Sequence, residues 1–250
     1  MAIAGLYPIF NHWHEEGTVY IISDTHFGDE VIAREPNRPS DEELFQRIYS
    51  KVGKNDTIIH LGDVGDTSYI ARLRAKRKIL VMGNHDSGRS NYERAENNKI
   101  FDQTEYSRNE ALFEMKRLYP NCRYSIDVAY SFHAPFECWR VSADNCLFDE
   151  VYEGPVMIGE KLILSHEPIK NCPWVFNIHG HIHDSKHKND KHHFNVCSSA
   201  IGYMPINMNQ WMKQGYLSHV ESIHRIAIDK ATERKKKRDG RSFNNHGQKR

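Results

Sequence analysis

The stretch His60-Leu61-Gly62-Asp63-Val64-Gly65-Asp66 decides how the rest of the sequence is interpreted. It follows the apolar run Thr57-Ile58-Ile59, which is typical of a short buried strand. Its glycines allow a tight turn and a close approach of the backbone to a ligand. Asp63 is therefore predicted at the carboxyl end of a strand, where open α/β sheets bind their ligands.

Other polar groups follow strand-like apolar runs elsewhere in the chain. They are Asp24-Thr25-His26, Gly83-Asn84-His85-Asp86, His166 and Gly180-His181-Ile182-His183. Carboxylates, imidazoles and amides are ligands for hard or borderline divalent metals, so the pattern predicts two metal ions with Asp63 as the shared carboxylate. Residues two apart in an extended chain point to the same side, which would let Asp24 and His26 reach one metal. Taken alone, that pair is equally compatible with a turn aspartate and a surface histidine.

The order of the predicted elements indicates an α/β protein. Strands at 18–23, 56–60 and 78–82 alternate with helices that begin near Ser40 and Thr67, which is the order of parallel crossover units. Ser40 followed by Glu43 is a capping-box pattern. The second half is predicted to be rich in strands joined as hairpins, at 156–158, 161–164, 174–178 and 194–197. Two sheets packed face to face, with helices outside, fit this order.

Residues 88–149 have no comparable rhythm and are predicted to form an insertion or cap beside the site. A short helix is expected at 109–118 and strands at 125–131 and 137–142. The region is rich in aromatic residues and histidine, which would suit either a substrate pocket or a minor hydrophobic cluster. These residues are Tyr124, Tyr130, Phe132, His133, Phe136 and Trp139. We predict a single domain over 1–228 that contains this insertion, with helices at 205–215 and 217–236.

The composition limits the class of protein. The 250 residues are 39% hydrophobic and 27% charged, enough for one domain with a buried core. No run of about 18 apolar residues predicts a membrane span. The first residues lack the pattern of a secretory signal. Five cysteines, an odd number without a Cys-x-x-Cys pair, favour free thiols in a reducing compartment, and we expect a cytoplasmic protein.

Charge is unevenly distributed along the chain. Residues 230–250 contain nine Lys/Arg and two Asp/Glu, a net charge of +7, whereas the whole chain carries +1. The remainder is therefore acidic, which bound cations would partly neutralise. The basic segment 229–250 is predicted to be a largely disordered tail, which could bind nucleic acid electrostatically or could simply be solvated.

As a set, the polar motifs resemble those of calcineurin-like metallophosphoesterases, and in particular the small stand-alone enzymes of that superfamily. The likeness is carried by Ser23-Asp24-Thr25-His26-Phe27-Gly28, by the Asp63 and Asn84 motifs, and by Leu164-Ser165-His166-Glu167-Pro168 and Gly180-His181-Ile182-His183. It implies a four-layer α/β/β/α sandwich and a metal-dependent hydrolysis of phosphate esters. Two departures stand out. Asp29 occupies a position where relatives often carry histidine, and the insertion after Asp86 is longer than theirs.

The resemblance also implies a role for each matched residue. The first metal would be held by Asp24, His26, Asp63 and His183, and the second by Asp63, Asn84, His166 and His181. His85 would donate a proton to the leaving oxygen or stabilise developing charge, and Asp66 would pair with it. Manganese is the expected metal, with iron, zinc or nickel as alternatives.

The expected activity is that of a phosphodiesterase acting on nucleotides or nucleic-acid ends. A phosphomonoesterase is the alternative, and a protein phosphatase is disfavoured because Thr67, not arginine, follows Asp66. A catalytically silent binding scaffold is a further alternative from another class. It is disfavoured because every expected ligand is present.

Overall fold

A computed structural model describes residues 17–120, 122–130, 137–183, 189–221 and 230–237. The strands of the first sheet are β1 (Val19–Ile22), β2 (Thr57–His60), β3 (Arg77–Val81), β7 (Glu150–Tyr152) and β12 (Ile206–Asn207). They lie in the order β12-β1-β2-β3-β7. All neighbours are parallel except β12, which pairs with β1 in the antiparallel direction. The carboxyl ends of β1, β2 and β3 therefore meet at one edge, and the predicted polar groups follow them there.

The strands of the second sheet are β8 (Val156–Ile158), β9 (Leu162–Ser165), β10 (Phe176–His179) and β11 (His193–Asn195). Only β8 and β9 form the predicted hairpin; β9, β10 and β11 are parallel. The expectation of hairpins throughout this half was therefore wrong. The chain between β9 and β10 crosses the outer face of the sheet, where Ile169 and Trp174 pack against Met157 and Ile163. This irregular crossover returns the chain to the same end without a helix.

The main core lies between the two sheets. Ile21, Ile59 and Ile79 of the first sheet and Leu164 and Ile178 of the second are at most 1% exposed and belong to one cluster. Strands buried on both faces read as continuous apolar runs, as these do. The packed sheets and flanking helices confirm the predicted α/β fold class.

Within the part of the chain that the structure describes, the sheets are accompanied by the helices α1 (Asp41–Lys51), α2 (Ser68–Arg72) and α4 (Met208–Lys213). α1 covers the outer face of the first sheet, and its capping box is present, since Ser40 and Glu43 bond to each other's backbone N–H groups. α2 ends before the predicted Lys76. The buried ammonium of Lys78 accounts for this end, because it donates to the carbonyls of Ile70 and Leu73 at the last turn.

The insertion forms a small unit with its own hydrophobic cluster. Its strands β4 (Glu96–Asp102), β5 (Arg123–Tyr130) and β6 (Glu137–Asp144) pair antiparallel in the order β4-β6-β5, and α3 (Arg108–Leu118) packs on them. Tyr124 and Trp139 belong to this cluster, which favours the hydrophobic-cluster interpretation for these two rings. Phe132, His133 and Phe136 lie outside the described residues. The sequence did not predict β4 because the first four residues of this strand are polar.

The helix predicted at 217–236 is present only in part. Residues 217–219 form turns and residues 220–221 are irregular, so the predicted helix does not begin at Leu217, although residues 230–237 are helical. The predicted disordered end beyond this helix lies outside the described residues. Among the residues that the structure describes, no helix has the length and apolar character needed to cross a membrane.

Candidate metal centre

The loop after β1 presents Asp24 and His26 through a left-handed backbone. Their φ angles are 55° and 43°, a region that non-glycine residues seldom adopt. The backbone N–H groups of Asp24 and His26 donate to the carbonyls of Gly62 and Asp63 at 2.9 and 3.0 Å. The expectation that strand alternation would align the two side chains was therefore wrong. The alignment comes from hydrogen bonds to the loop after β2, which turn both side chains towards Asp63.

Asp63 lies between two histidines. Its Oδ2 atom is 3.6 Å from His26 Nε2 and 3.4 Å from His166 Nε2, and the residue is 2% exposed. The second carboxylate oxygen, Oδ1, accepts the backbone N–H of His85 at 2.9 Å. Asp63 thus presents one oxygen to the histidines while the other is held by the chain.

A first group of donors consists of Asp24, His26 and His183, whose ligand atoms lie within 4.8 Å of one another. The rings of His26 and His183 stack with centroids 5.3 Å apart. His26 Nε2 is buried and has no hydrogen-bond partner among the described residues. Burial lowers the pKa of His26, opposed by the charges of Asp63 and Asp24. A neutral imidazole with an unused nitrogen is the form that binds a metal.

A second group of donors comes from Asn84, His166 and His181. Asn84 Oδ1 lies 2.9 Å from His166 Nε2 and 3.0 Å from His181 Nδ1, and the two nitrogens are 3.2 Å apart. His166 Nδ1 lies 2.7 Å from the carbonyl of Leu61, so it carries the proton and leaves Nε2 with a lone pair. Nε2 and the Asn84 oxygen are both acceptors, and such a convergence suits a cation between them.

The donor set fits divalent metals, and two aspartates link its halves. Asp24 belongs both to the first group and to a group with Asp63 and His166 whose ligand atoms also lie within 4.8 Å of one another. The distances from Asp63 Oδ2 place that atom between the two halves. All predicted ligands are thus brought together, whereas the sharing of Asp63 by two metals stays a prediction.

The two predicted catalytic residues are placed differently. The exposed His85 lies beside the first group, with its ring centroid 5.5 Å from that of His26. The exposed carboxylate of Asp66 accepts the N–H and the hydroxyl of Ser68, each at 2.9 Å. Asp29 Oδ2 lies 3.7 Å from His26 Nδ1. The pKa of Asp29 is lowered chiefly by the backbone N–H of Ile32, and the nearby His26 and His85 also lower it. The pairing of Asp66 with His85 stays a prediction.

Asp86 ends the motif Gly83-Asn84-His85-Asp86, but the sequence predicts no role for it. It is 9% exposed, and its Oδ2 accepts the backbone N–H groups of Asp63 at 2.8 Å and Gly83 at 2.9 Å. Oδ1 accepts the N–H of Val64 at 3.1 Å. Asp86 thus ties the loop after β3 to the loop after β2 and holds the backbone of Asp63. Its place next to Asn84 and His85 was the only signal in the sequence.

Two further residues support the candidate ligands, although no recognisable signal in the sequence identifies them. Arg38 donates to the carbonyls of Thr25 and His26 at 2.9 and 3.2 Å, from a side chain that is 2% exposed. Cys197, which follows β11, lies behind Asp24, and its Sγ is 3.1 Å from Asp24 Oδ2. Burial is the main cause of its raised thiol pKa, so the sulfur keeps its proton.

Two cavities border the second group. One of about 490 Å³ is lined by His179, His181, His193, Lys170 and neighbouring residues. The other, of about 410 Å³, is lined by Gly83, Asn84, His166, Pro155 and neighbouring residues. Glu167 and Pro168 contribute to both. Space for a ligand is therefore available on two sides of the Asn84, His166 and His181 side chains.

Comparison with known proteins identifies the family of this chain. Among solved structures, the chain is similar to AQ665 from Aquifex aeolicus, described as a protein of unknown function, with 23% identity and a TM-score of 0.46 over 79% of this chain and 98% of that one. No curated protein matches significantly. The model of the calcineurin-like phosphoesterase family matches residues 17–195, a span that contains every predicted site residue. This match confirms the resemblance, and the chain belongs to the calcineurin-like phosphoesterase family.

Proposed function

We propose that this protein is a dinuclear, metal-dependent phosphodiesterase that acts on nucleotides or nucleic-acid ends. Family membership supports metal-dependent hydrolysis of phosphate esters. The observation that carries the finer proposal is the position of Asp63 Oδ2, 3.6 Å from His26 Nε2 and 3.4 Å from His166 Nε2. One carboxylate oxygen between two sets of donors is the arrangement that a bridging ligand requires.

In this proposal, some site residues bind the metals and others assist proton transfer. Asp24, His26, Asp63 and His183 hold one cation, and Asp63, Asn84, His166 and His181 hold the other. When bound, two divalent cations supply an activated water and a clamp for the oxygens of an in-line displacement. His85 is exposed beside this centre, where it can give a proton to the leaving oxygen. Asp66 is proposed to assist His85.

The preference for diesters is supported by the two cavities of the second donor group, one beside His181 and the other beside Asn84 and His166. A phosphate diester carries two substituents, and cavities of about 490 and 410 Å³ offer a place for each. Lys170 and Asn189 line the first cavity, where they can hydrogen-bond to a sugar or a base. A monoester would need one of the two cavities only.

The metals are proposed from the chemistry of the ligands, and the compartment is proposed from the cysteines. Nitrogen and oxygen donors without a thiolate suit manganese, with iron, zinc or nickel as alternatives. The five cysteines are free thiols, which agrees with the proposed cytoplasmic location.

The proposal is tested by hydrolysis of bis-p-nitrophenyl phosphate and p-nitrophenyl phosphate. The protein is first stripped with a chelator and then supplied with manganese, iron, zinc or nickel. Wild type is compared with His85→Ala and with His219→Ala, a control that changes an exposed histidine outside the donor groups.

We expect manganese-dependent hydrolysis of the diester, weakened about 100-fold in His85→Ala and unchanged in the control. Preference for the monoester would contradict the phosphodiesterase assignment and favour a phosphatase. Binding of two metals without turnover of either ester would favour a binding scaffold.

A further inference from the structure

We propose that Cys197 is a positioning residue of the metal centre, which fixes Asp24 and His183 relative to each other. The inference rests on the proposed function, since it concerns two of the proposed ligands. These ligands come from different sheets: Asp24 follows β1 in the first, and His183 follows β10 in the second. A single sulfur atom contacts both.

The sulfur uses both of its hydrogen-bonding capacities. Cys197 Sγ lies 3.1 Å from Asp24 Oδ2, and the backbone N–H of His183 donates to the same sulfur at 3.1 Å. The carboxylate can only accept, so the S–H group is the donor in the first contact. Cys197 is fully buried and Asp24 is 2% exposed, which leaves little access for water to replace either bond.

These bonds determine which oxygen of Asp24 faces the centre. Oδ2 accepts from the thiol, whereas the backbone N–H of His181 is shared between Oδ2 at 3.0 Å and Oδ1 at 3.1 Å. Oδ1 lies 3.9 Å from His183 Nε2, on the side of the first donor group. The thiol therefore holds Oδ2 away from the centre and keeps Oδ1 towards it.

The backbone around Cys197 is rigid enough to act as a support. Residues Ser23 and Cys197 form a parallel bridge between the loop after β1 and the chain after β11. Ser198 donates its hydroxyl to the carbonyl of Asp24 at 2.7 Å, and the N–H of Cys197 donates to Asn195 Oδ1 at 2.9 Å.

The ligands themselves need such a support. Asp24 and His183 have φ angles of 55° and 46°, which persist only when surrounding contacts enforce them. The thiol contributes one contact to the side chain of the first and one to the backbone of the second.

The test compares Cys197→Ala with Cys197→Ser. Alanine removes the donor, whereas serine keeps a hydroxyl that can donate to Asp24. Cys146→Ala is the matched control, because Cys146 is equally buried and its thiol donates to the carbonyl of Asp144 at 3.0 Å. Manganese binding to chelator-stripped protein is measured by isothermal titration calorimetry, and thermal unfolding without metal reports on folding.

We expect Cys197→Ala to weaken manganese binding about 10- to 100-fold. Cys197→Ser should stay within about threefold of wild type, and Cys146→Ala should bind as wild type does. The inference would be overturned if manganese binding were weakened equally in the alanine and serine variants, or if it were unchanged in both. As long as the wild type binds manganese, neither result affects the proposed function. Absence of manganese binding in the wild type would overturn the proposed metal centre and this inference with it.

Discussion

The interaction of Asp86 with the loop after β2 offers a quantitative test of how the centre is held. Asp86→Ala removes the acceptor of three backbone N–H groups, those of Asp63, Val64 and Gly83, at 2.8, 3.1 and 2.9 Å. Asp63 and Val64 are buried, so their donors would lose their partner in a place that water reaches poorly.

The magnitude follows from these three bonds. A buried donor left without an acceptor costs about 1 to 3 kcal/mol. Gly83 is only half-buried, so water can replace part of its bond. We therefore expect Asp86→Ala to lower the free energy of unfolding by about 3 to 5 kcal/mol. This is a large part of the roughly 5 to 15 kcal/mol that stabilises a typical domain. Asp86→Asn keeps the shape but loses the charge and one acceptor, and should cost about half as much.

The assay is guanidinium denaturation followed by tryptophan fluorescence, with a chelator present so that metal binding does not contribute. Asp66→Ala is the control, because Asp66 is an exposed carboxylate of the same loop with two hydrogen bonds to Ser68. It should cost less than about 1 kcal/mol. If Asp86→Ala also costs less than about 1 kcal/mol, Asp86 does not hold this loop, and our account of how Asp63 is positioned fails.

Three further predictions concern other buried contacts. In Gly180→Ala the new Cβ would collide with Asp24 Oδ2, so manganese affinity measured by calorimetry should fall at least about tenfold, whereas Gly154→Ala, with nothing within 4 Å, should bind normally. Burial lowers the pKa of His60 from 6.5 to about 4. Because the unfolded chain binds the proton first, the titration of His60 should remove about 3 kcal/mol of stability as pH falls from 6.5 to 4, so wild type should lose more stability than His60→Gln in denaturation curves. Burial lowers the pKa of Lys78 from 10.5 to about 8, so the titration of Lys78 should by itself add a rise of about 3 kcal/mol in stability between pH 8 and 10.5. Lys78→Met should abolish this rise in the same measurement.

The sequence predicted the parts of the fold and site that local patterns encode. Short apolar runs predicted β1, β2, β3, β9 and β10 to within about two residues at each end. The polar groups after these strands came together because parallel strands end at a common edge. The candidate ligands were predicted because each motif places Asp, Asn or His directly after a strand, in most cases near a glycine.

What the sequence did not predict depends on contacts between distant segments. The left-handed backbone at Asp24 and His26 arises from hydrogen bonds to the carbonyls of Gly62 and Asp63. A local pattern that treats residues two apart as extended neighbours brings the two side chains together for the wrong geometric reason. The parallel course of β9 and β10 was missed for a related reason, since the crossover between them contains no helical pattern to predict it.

Asp66 and Cys197 each make a contact that local reasoning does not predict. Asp66 is proposed to assist His85 because it matches an acid of the family motif, and in the structure its carboxylate accepts from Ser68 at the start of α2, a contact that the motif does not predict. Cys197 was given no role, yet its sulfur contacts a carboxylate 173 positions earlier in the chain. A position within a motif ties a residue to its neighbours in sequence, whereas the support of a ligand is decided by whichever buried donor the fold brings next to it. For this reason we expect the effects of substitution at the centre to follow contacts such as those of Asp86 and Cys197 more closely than distance along the chain from the ligands.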